Sequence, residues 1–390
     1  MKLFFLLMLL QTQKVVLSRI KLSSVIRLNG GYFHSDVNSG SSTNSSPIKP
    51  NLDRSRIQKW KPPGLSSHPM STSSFHVDSI ERLKKDYGGR FIHCKTGLIN
   101  YTDIDIYLCG TLHVAKSSVD FVQDTIQTIK PDFVVLEICD SRIDSIITST
   151  DDDNEINITL KDVFQVGIEE RSLKAFGMGV MTWIQKKAAK SLGSKLGGEL
   201  AMATYEAHKH GSSVVLGDRS YAVTVQRAFD RLSFLERIKM VIILFSEIIM
   251  MSFFNLKDYI KKTEMDEAFI KREIAKFGRW LPGFADVIIN ERDEYLAQTL
   301  VEIVKTGFYK ERSNNGLGPL PPGRRGKVVA VVGAGHLPGI VKHLNVGGVD
   351  NARLLEISCS SKHQQSCWPG NGRFQTVRTE QIFSDKKAIN

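Results

Sequence analysis

The chain has 390 residues, 42% of them hydrophobic, which is enough to bury one large core or two modest ones. Its net charge of +11 is concentrated at the start: residues 1–75 hold ten Lys or Arg and two Asp or Glu, so the remainder carries only +3. Because no basic face with interleaved aromatic residues occurs in the body of the chain, we expect no nucleic-acid partner.

Residues 1–75 have the composition of a targeting segment followed by a linker. The first acidic residue is Asp36, and the basic residues before it alternate with apolar residues and Ser, as in mitochondrial or plastid presequences. The apolar run Leu3–Leu10 is an alternative, the core of a secretory signal, but it is short and no A-x-A-like cleavage site follows it. Residues 38–74, rich in Ser, Asn and Pro, indicate a disordered linker.

A β-α-β unit is predicted over residues 104–138. Apolar residues alternate in a strand pattern from Ile104, which leads into Gly110-Thr-Leu-His113. A helical pattern then runs to Pro131, which should end the helix. The next segment, Phe133–Ile138, is apolar at every position but one. A nearly continuous apolar run is typical of a parallel strand that is covered on both faces.

The exception in that run is Glu137. A carboxylate inside a doubly covered strand costs several kcal/mol unless a cation or several donors meet it. Two interpretations remain open: a structural salt bridge, with Arg142 as the nearest candidate partner, or a functional role as metal ligand or general base.

The middle of the chain is predicted to be mostly helical. We expect helical insertions at about 160–210 and 230–310, with an interruption near Gly177-Met-Gly179. Between them, the strand Ser213–Leu216 ends in Gly217-Asp218-Arg219, where Asp218 is either a helix cap or a site residue.

Two further segments of this region have competing interpretations. The apolar run 235–254 is shorter than a usual membrane span and carries Glu247, which favours a buried or oligomer-forming helix, with shallow membrane association as the alternative. The charge run 290–295 is most simply the solvated face of a helix.

A second copy of the first unit is predicted near the end of the chain. Val328–Val332 leads into Gly333-Ala-Gly-His336, a short helix, and a strand at 353–358 that contains Glu356. The predicted fold class is therefore α/β, with a mainly parallel central sheet built from two related strand–GxxH–helix–strand units. This α/β domain is expected over residues 76–358, followed by a polar tail at 359–390.

Strands of a parallel sheet end at one edge, where ligands bind. His113, His336 and Glu137 should meet there and form a mixed nitrogen and oxygen site suited to a divalent metal such as Mn, Co or Zn. Such an ion lowers the pKa of a coordinated water, which is hydrolase-like chemistry. Arg142, Arg219 and Arg292 would orient a carboxylate or stabilise developing negative charge.

The main alternative is a dinucleotide fingerprint made by Gly333, Gly335 and Gly339, with Glu356 as the ribose contact. Against it, the first copy keeps Gly-x-x-His but lacks the second glycine. A duplicated unit must account for the histidines, and nucleotide binding does not.

The chain resembles the TraB/PrgY family, whose distant relatives include the Tiki metalloproteases, GumN and erythromycin-esterase-like proteins. The matching segments are Gly110–Val114 with Ser118, Pro131–Cys139 with Arg142, Gly217–Arg219 with Thr224 and Arg227, Glu291–Asp293, and Val332–Ile340. The resemblance implies metal-dependent proteolysis with His113, Glu137 and His336 in the matching positions, a peptide or protein substrate, and association with mitochondrial membranes.

Two hypotheses follow. The first is a metal-dependent, peptidase-like hydrolase at a mitochondrion, on the outer membrane or associated with it, or at a plastid. The second is a non-catalytic regulatory or scaffold protein of an organelle surface, attached through the basic N-terminus and residues 235–254.

Overall fold

The computed structural model describes residues 76–95, 104–111, 116–139, 159–192, 197–253, 267–304, 325–346, 353–354 and 376–377. Over this part of the chain the fold is α/β, which confirms the predicted fold class. The strands are β1 (Phe91–Lys95), β2 (Ile104–Thr111), β3 (Phe133–Leu136), β4 (Ser213–Leu216), β5 (Gly326–Gly333) and β6 (Thr376–Val377).

Helices connect and flank these strands. They are α1 (His76–Tyr87), α2 (Lys116–Ile129), α3 (Leu160–Glu169), α4 (Leu173–Leu192), α5 (Gly198–Lys209), α6 (Tyr221–Asp230), α7 (Phe234–Phe253), α8 (Glu267–Trp280), α9 (Pro282–Ala285), α10 (Glu291–Glu302) and α11 (Leu337–Val346). A π-helical segment, Asp286–Asn290, joins α9 to α10.

The sheet has the strand order β1-β2-β5-β3-β4-β6, and its four inner strands are parallel. The edge strands β1 and β6 run antiparallel to their neighbours. In the register of β2 and β5, Gly110 pairs with Val332 and Thr111 with Gly333. The two Gly-x-x-His turns therefore begin side by side at the same edge of the sheet.

Side chains alternate between the two faces of the sheet, as the period of two along a strand requires. On one face, Ile104, Ile106 and Leu108 join a core with residues of α10 and α11. On the other, Tyr107 and Cys109 join a core with residues of α1, α2 and α5. The strands are thus covered by helices on both sides, which explains their nearly continuous apolar sequences.

A third core lies mainly among helices, from α3 and α4 through α6 to α9, and also includes Cys139 after β3. The interruption predicted near Gly177 and Gly179 is wrong, because α4 runs through both glycines. The helical region is interrupted earlier, between the end of α3 at Glu169 and the start of α4 at Leu173. A Cβ atom at Gly177 would lie 2.9 Å from the ring of Phe229, and one at Gly179 would lie 3.1 Å from Val163. These glycines let helices approach each other closely.

The second predicted unit departs from the first after its helix. The strand predicted at 353–358 is wrong for Arg353 and Leu354, which are helical, and Glu356 lies outside the described residues. Both sides of β5 are already occupied, by β2 and β3, so no strand position is left beside it. The carbonyl oxygen of Leu354 instead accepts a bond of 2.9 Å from Arg219.

The apolar run near 235–254 forms α7, whose inner side packs into the helical core. Glu247 lies on that inner side with 1% of its surface exposed. None of the helices in the described ranges is both long enough and apolar enough to cross a membrane.

Candidate active site

Polar residues that are far apart in sequence meet at the carboxyl edge of the inner strands. Glu137 follows β3 directly, Asp218 comes shortly after β4, and His336 ends the short turn after β5. Arg292 reaches all three from the first turn of α10. All four side chains are buried, so their charges and hydrogen bonds must be satisfied within the protein.

The Glu137 carboxylate is held from two directions. Its Oε2 accepts a hydrogen bond of 2.6 Å from the backbone N–H of Gly333, the first residue of the second Gly-x-x-His turn. Its Oε1 accepts from Nη2 of Arg292. Arg292 thus fills the role that the sequence suggested for Arg142, which lies outside the described residues.

Arg292 bridges two carboxylates. Besides Glu137, its guanidinium donates to Asp218, with distances of 2.7 Å from Nη2 and 3.3 Å from Nε. Burial acts to lower the pKa of Arg292, but Asp218 and Glu137 outweigh it and raise that pKa above its ordinary value. Arg292 is therefore a permanent cation at the centre of the cluster.

His336 stands between two carboxylates. Its Nδ1 lies 2.5 Å from Oδ1 of Asp293, and its Nε2 lies 3.3 Å from Oε1 of Glu137. Nε2 also lies 3.3 Å from Nη1 of Arg292, and only a neutral imidazole could accept a hydrogen bond there. The proton on Nε2 therefore decides whether His336 faces Glu137 as a donor or Arg292 as an acceptor.

Electrostatics favour the protonated ring in this state. Burial acts to lower the pKa of His336, but Glu137 and Asp293 outweigh it and raise that pKa to about 10. Burial also raises the pKa of the Asp293 carboxyl, although His336 and Arg292 oppose this. His336 and Asp293 both hold a proton more tightly than usual, so the two groups compete for the proton between them. We assign it to His336, because the imidazolium can donate to both flanking carboxylates.

Glycines permit this close packing. A Cβ atom at Gly339 would lie 1.9 Å from Oδ2 of Asp293, so α11 can lie against the first turn of α10 only with glycine there. A Cβ at Gly110 would meet Leu337 at 2.5 Å. A Cβ at Gly335 would lie 3.1 Å from Ile274 of α8. These contacts account for Gly335 and Gly339 without a bound dinucleotide.

A second ion cluster adjoins the first. Arg219 donates to Glu291 at 2.7 Å, and Arg227 donates to both oxygens of the same carboxylate, at 2.7 and 2.8 Å. Arg219 also donates to Thr224 and to the backbone oxygens of Val287 and Leu354. Burial lowers the pKa of Arg219, with Glu291 opposing it. These bonds place Arg219 beside α10, where it positions the helix that carries Arg292.

The prediction of a solvated face at 290–295 is wrong for Glu291, Arg292 and Asp293, which are 3, 4 and 3% exposed. The residues that follow, Tyr295 to Leu300, bury apolar groups on several sides of α10. Apolar residues on more than one side of a helix favour its burial. In α10 this signal is only partial, because Gln298, Thr299 and Glu302 interrupt the apolar residues.

Two residues of the site were undervalued in the sequence. The residue pattern assigns Asp293 to the solvated run, and only the family resemblance includes it, while Asp218 is either a helix cap or a site residue. Ser220, not Asp218, occupies the N-cap position of α6, without a side-chain capping bond, and Asp218 binds Arg292. Of the predicted metal ligands, Glu137 and His336 are brought together and His113 lies outside the described residues. Within the described ranges, no group of three or more His, Cys, Asp or Glu side chains is arranged to hold a metal ion.

Known proteins are similar to much of this chain. An uncharacterized protein of Methanocaldococcus jannaschii is 32% identical over 269 residues, which cover 67% of this chain and 59% of that protein. TraB domain-containing proteins of Mus musculus and Homo sapiens are 27% and 26% identical over 251 residues, which cover 61% of this chain and 62% of each relative. The match thus spans about three fifths of the length of these relatives. The model of the TraB/PrgY/gumN family matches residues 98–347, which include both ion clusters apart from Leu354, and the chain therefore belongs to that family.

Proposed function

We propose that this chain is a metal-dependent hydrolase with peptidase-like action at an organelle. The main support is that His336 lies between two carboxylates. Its Nδ1 is 2.5 Å from Asp293, and its Nε2 is 3.3 Å from Glu137. A histidine that binds a metal through one ring nitrogen usually donates the other N–H to a carboxylate, which fixes its tautomer and orientation. Asp293 does this at Nδ1 and leaves Nε2 facing Glu137.

The donor set fits a divalent ion such as Mn, Co or Zn, because imidazole nitrogen and carboxylate oxygen are the ligands these metals share. The described residues supply two ligands, and we propose His113 as the third. His113 lies two residues after Thr111, whose register partner Gly333 begins the turn that carries His336. Binding would require Nε2 of His336 to release its proton and Oε1 of Glu137 to give up its contact with Arg292.

A bound ion would supply the Lewis acidity that activates water for hydrolysis. In the proposed mechanism Glu137 has one of two roles. It is either a metal ligand through Oε1 or a general base that takes up a proton at Oε1. Asp293 keeps the proton on Nδ1 of His336. Arg292 and Arg142 orient the substrate and balance negative charge that develops on it. Arg219 has an indirect role: its ion pair with Glu291, the first residue of α10, holds that helix in place.

Metal content tests the proposed ligands directly. The purified chain is loaded separately with Mn, Co and Zn, freed of excess metal, and analysed for bound metal. We expect one ion per chain in the wild type and loss of it in both His113→Ala and His336→Ala. His343→Ala, a change of the same residue type on α11, should keep the metal. A wild type that binds no metal, or alanine variants that still bind it fully, would refute the site.

Hydrolysis is tested separately with a mixture of peptides whose products are identified by mass spectrometry. Metal-loaded wild type should cleave members of the mixture, and Glu137→Gln should lose at least about a hundredfold in rate if Oε1 handles the proton. Cleavage that continues unchanged in Glu137→Gln would remove Glu137 from the mechanism even where metal is bound.

One observation favours a second candidate, a non-catalytic regulatory or scaffold protein of an organelle surface. Both oxygens of Glu137 and both ring nitrogens of His336 already have polar neighbours within the protein, as in an ion cluster that serves only the fold. In that case the wild type would bind no metal and would still associate with organelle membranes.

For location we propose the mitochondrion, on its outer membrane or associated with it, with the plastid as the alternative. The support is the basic composition of residues 1–75, which lie outside the described range. Fusion of these residues to a fluorescent protein should direct it to the organelle. The same fusion with Lys14, Arg19, Lys21 and Arg27 replaced by Ala should remain diffuse, and equal targeting by both fusions would contradict the proposal.

A further inference from the structure

We propose that the outward side of α7 rests on an anionic membrane surface, with the helix lying in the plane of the surface. This side, called here the α7 outer face, consists of Phe234, Leu235, Ile238, Val241, Ile242, Phe245 and Ile249. Its exposure is high for large apolar side chains, reaching 77% at Phe234 and 58% at Ile242. The inference does not depend on whether the buried site hydrolyses anything.

The α7 outer face is a continuous exposed surface, and among the described residues only Phe245 at its edge packs against other aromatic rings, those of Phe164 and Phe176. Its members recur at intervals of three and four residues, so they form one stripe along a helix about 30 Å long. The opposite side of α7 is already packed, with Met240, Ile243, Leu244 and Ile248 in the helical core. Contiguous exposed apolar surface of this kind marks a site of contact with a protein or a membrane.

The charges beside the stripe indicate an anionic partner. At 100° per residue, Arg237 and Lys239 fall on the two borders of the α7 outer face. The acidic residues of the helix, Glu236 and Glu247, are 6 and 1% exposed and lie on the inner side. An apolar stripe flanked by cations is typical of helices that lie in a membrane interface, where the basic groups reach the anionic head groups.

A groove beside the stripe can accept an apolar chain. It has a volume of about 330 Å³, lies between α3, α4 and α7, and is lined by Phe164, Phe176 and Phe245 among other apolar groups. The exposed Arg171 also lines it and could meet a lipid phosphate. The exposed acids Glu169 and Glu170 precede Arg171 and should mark the limit of the contact.

A second copy of the chain is a poorer partner for the same face. In a symmetric dimer each surface meets itself, so with parallel helices the cationic borders of one α7 would lie against those of the other. With antiparallel helices Arg237 and Lys239 would find no acidic partner on the facing α7, because Glu236 and Glu247 are buried. Like charges across an interface disfavour association. An anionic lipid surface complements both the stripe and its borders.

Flotation of the full-length chain with vesicles tests this inference. Wild type should float with phosphatidylcholine vesicles that contain phosphatidylserine and bind pure phosphatidylcholine more weakly. Arg237→Glu with Lys239→Glu should weaken binding to the anionic vesicles at least about tenfold, because basic groups near an anionic surface contribute strongly to attachment. Ile242→Glu with Phe245→Glu should weaken binding to both kinds of vesicle.

The matched control is Lys84→Glu with Lys85→Glu on α1, which makes the same change in charge at exposed positions distant in the fold. This variant should bind like the wild type. Hydrogen exchange gives a second readout, in which vesicles should protect α7 and leave α1 unchanged. The inference is overturned if Arg237→Glu with Lys239→Glu binds anionic vesicles as well as the α1 control does. It is also overturned if the wild type does not float but forms a dimer that Ile242→Glu with Phe245→Glu dissociates.

Discussion

Oδ1 of Asp293 lies 2.5 Å from Nδ1 of His336, although the two residues are 43 positions apart and come from different helical segments. The contact depends on Gly339, which lets α11 approach Asp293 without a side chain between them. It fixes the imidazole ring so that Nε2 faces Glu137. Asp293 therefore sets the orientation of His336, the proposed metal ligand, from the side of the ring opposite Nε2.

Replacing Asp293 by Asn should lower the pKa of His336 from its value of about 10, because a carboxylate that favours the cation is removed. The titration of the ring can be followed by NMR in metal-free protein. An unchanged His336 pKa in Asp293→Asn would show that Asp293 does not stabilise the imidazolium.

Stability should depend on pH through His336 in a defined window. Its pKa is about 10 in the folded protein against 6.5 ordinarily, so the folded state binds the proton more tightly. The associated stabilisation is fully present below pH 6.5 and is lost as the pH rises towards 10. The difference in unfolding free energy between wild type and His336→Gln, from urea titrations, should shrink across this window. A constant difference would contradict the raised pKa.

Removal of the Glu137 carboxylate should destabilise the fold strongly. Glu137→Ala leaves Arg292 buried with one carboxylate partner fewer, and breaking a buried ion pair in this way costs about 3 kcal/mol. Glu294→Ala removes a pair with the half-exposed Arg353 and should cost only about 0.5 kcal/mol. Urea unfolding of both variants gives the comparison, and similar losses in the two would show that burial of the Glu137 pair adds nothing.

Two glycine substitutions should have opposite effects. Gly339→Ala should lower the unfolding free energy by about 2 kcal/mol, because the new Cβ would overlap Oδ2 of Asp293, which is tied to His336 and cannot move freely. Gly278→Ala in α8 should raise it by about 0.5 kcal/mol, since nothing lies within 4 Å of the added Cβ and alanine favours a helix. Thermal unfolding should order the three proteins as Gly278→Ala, wild type, Gly339→Ala, and a stable Gly339→Ala would mean that α11 does not need the close approach.

Local sequence determined the parallel strands and the turns that follow them. Phe133–Leu136 and Gly326–Gly333 are apolar without a polar face, and such runs can be buried only in a sheet that is covered on both sides. Because parallel strands end at one edge, Glu137 and His336 could be placed together from the sequence alone. Their proximity in the structure agrees with that expectation.

Tertiary structure alone decided which charges pair. Sequence proximity pointed from Glu137 to Arg142, whereas the structure supplies Arg292 from 155 residues away. It also buries Glu291, Arg292 and Asp293, which a pattern of local polarity assigns to solvent. Periodicity reports which side of an element is apolar, but the partner of a buried charge is chosen by how whole helices dock on the sheet. That docking depends on contacts between distant segments, such as Gly339 against Asp293, and these leave no local trace in the sequence.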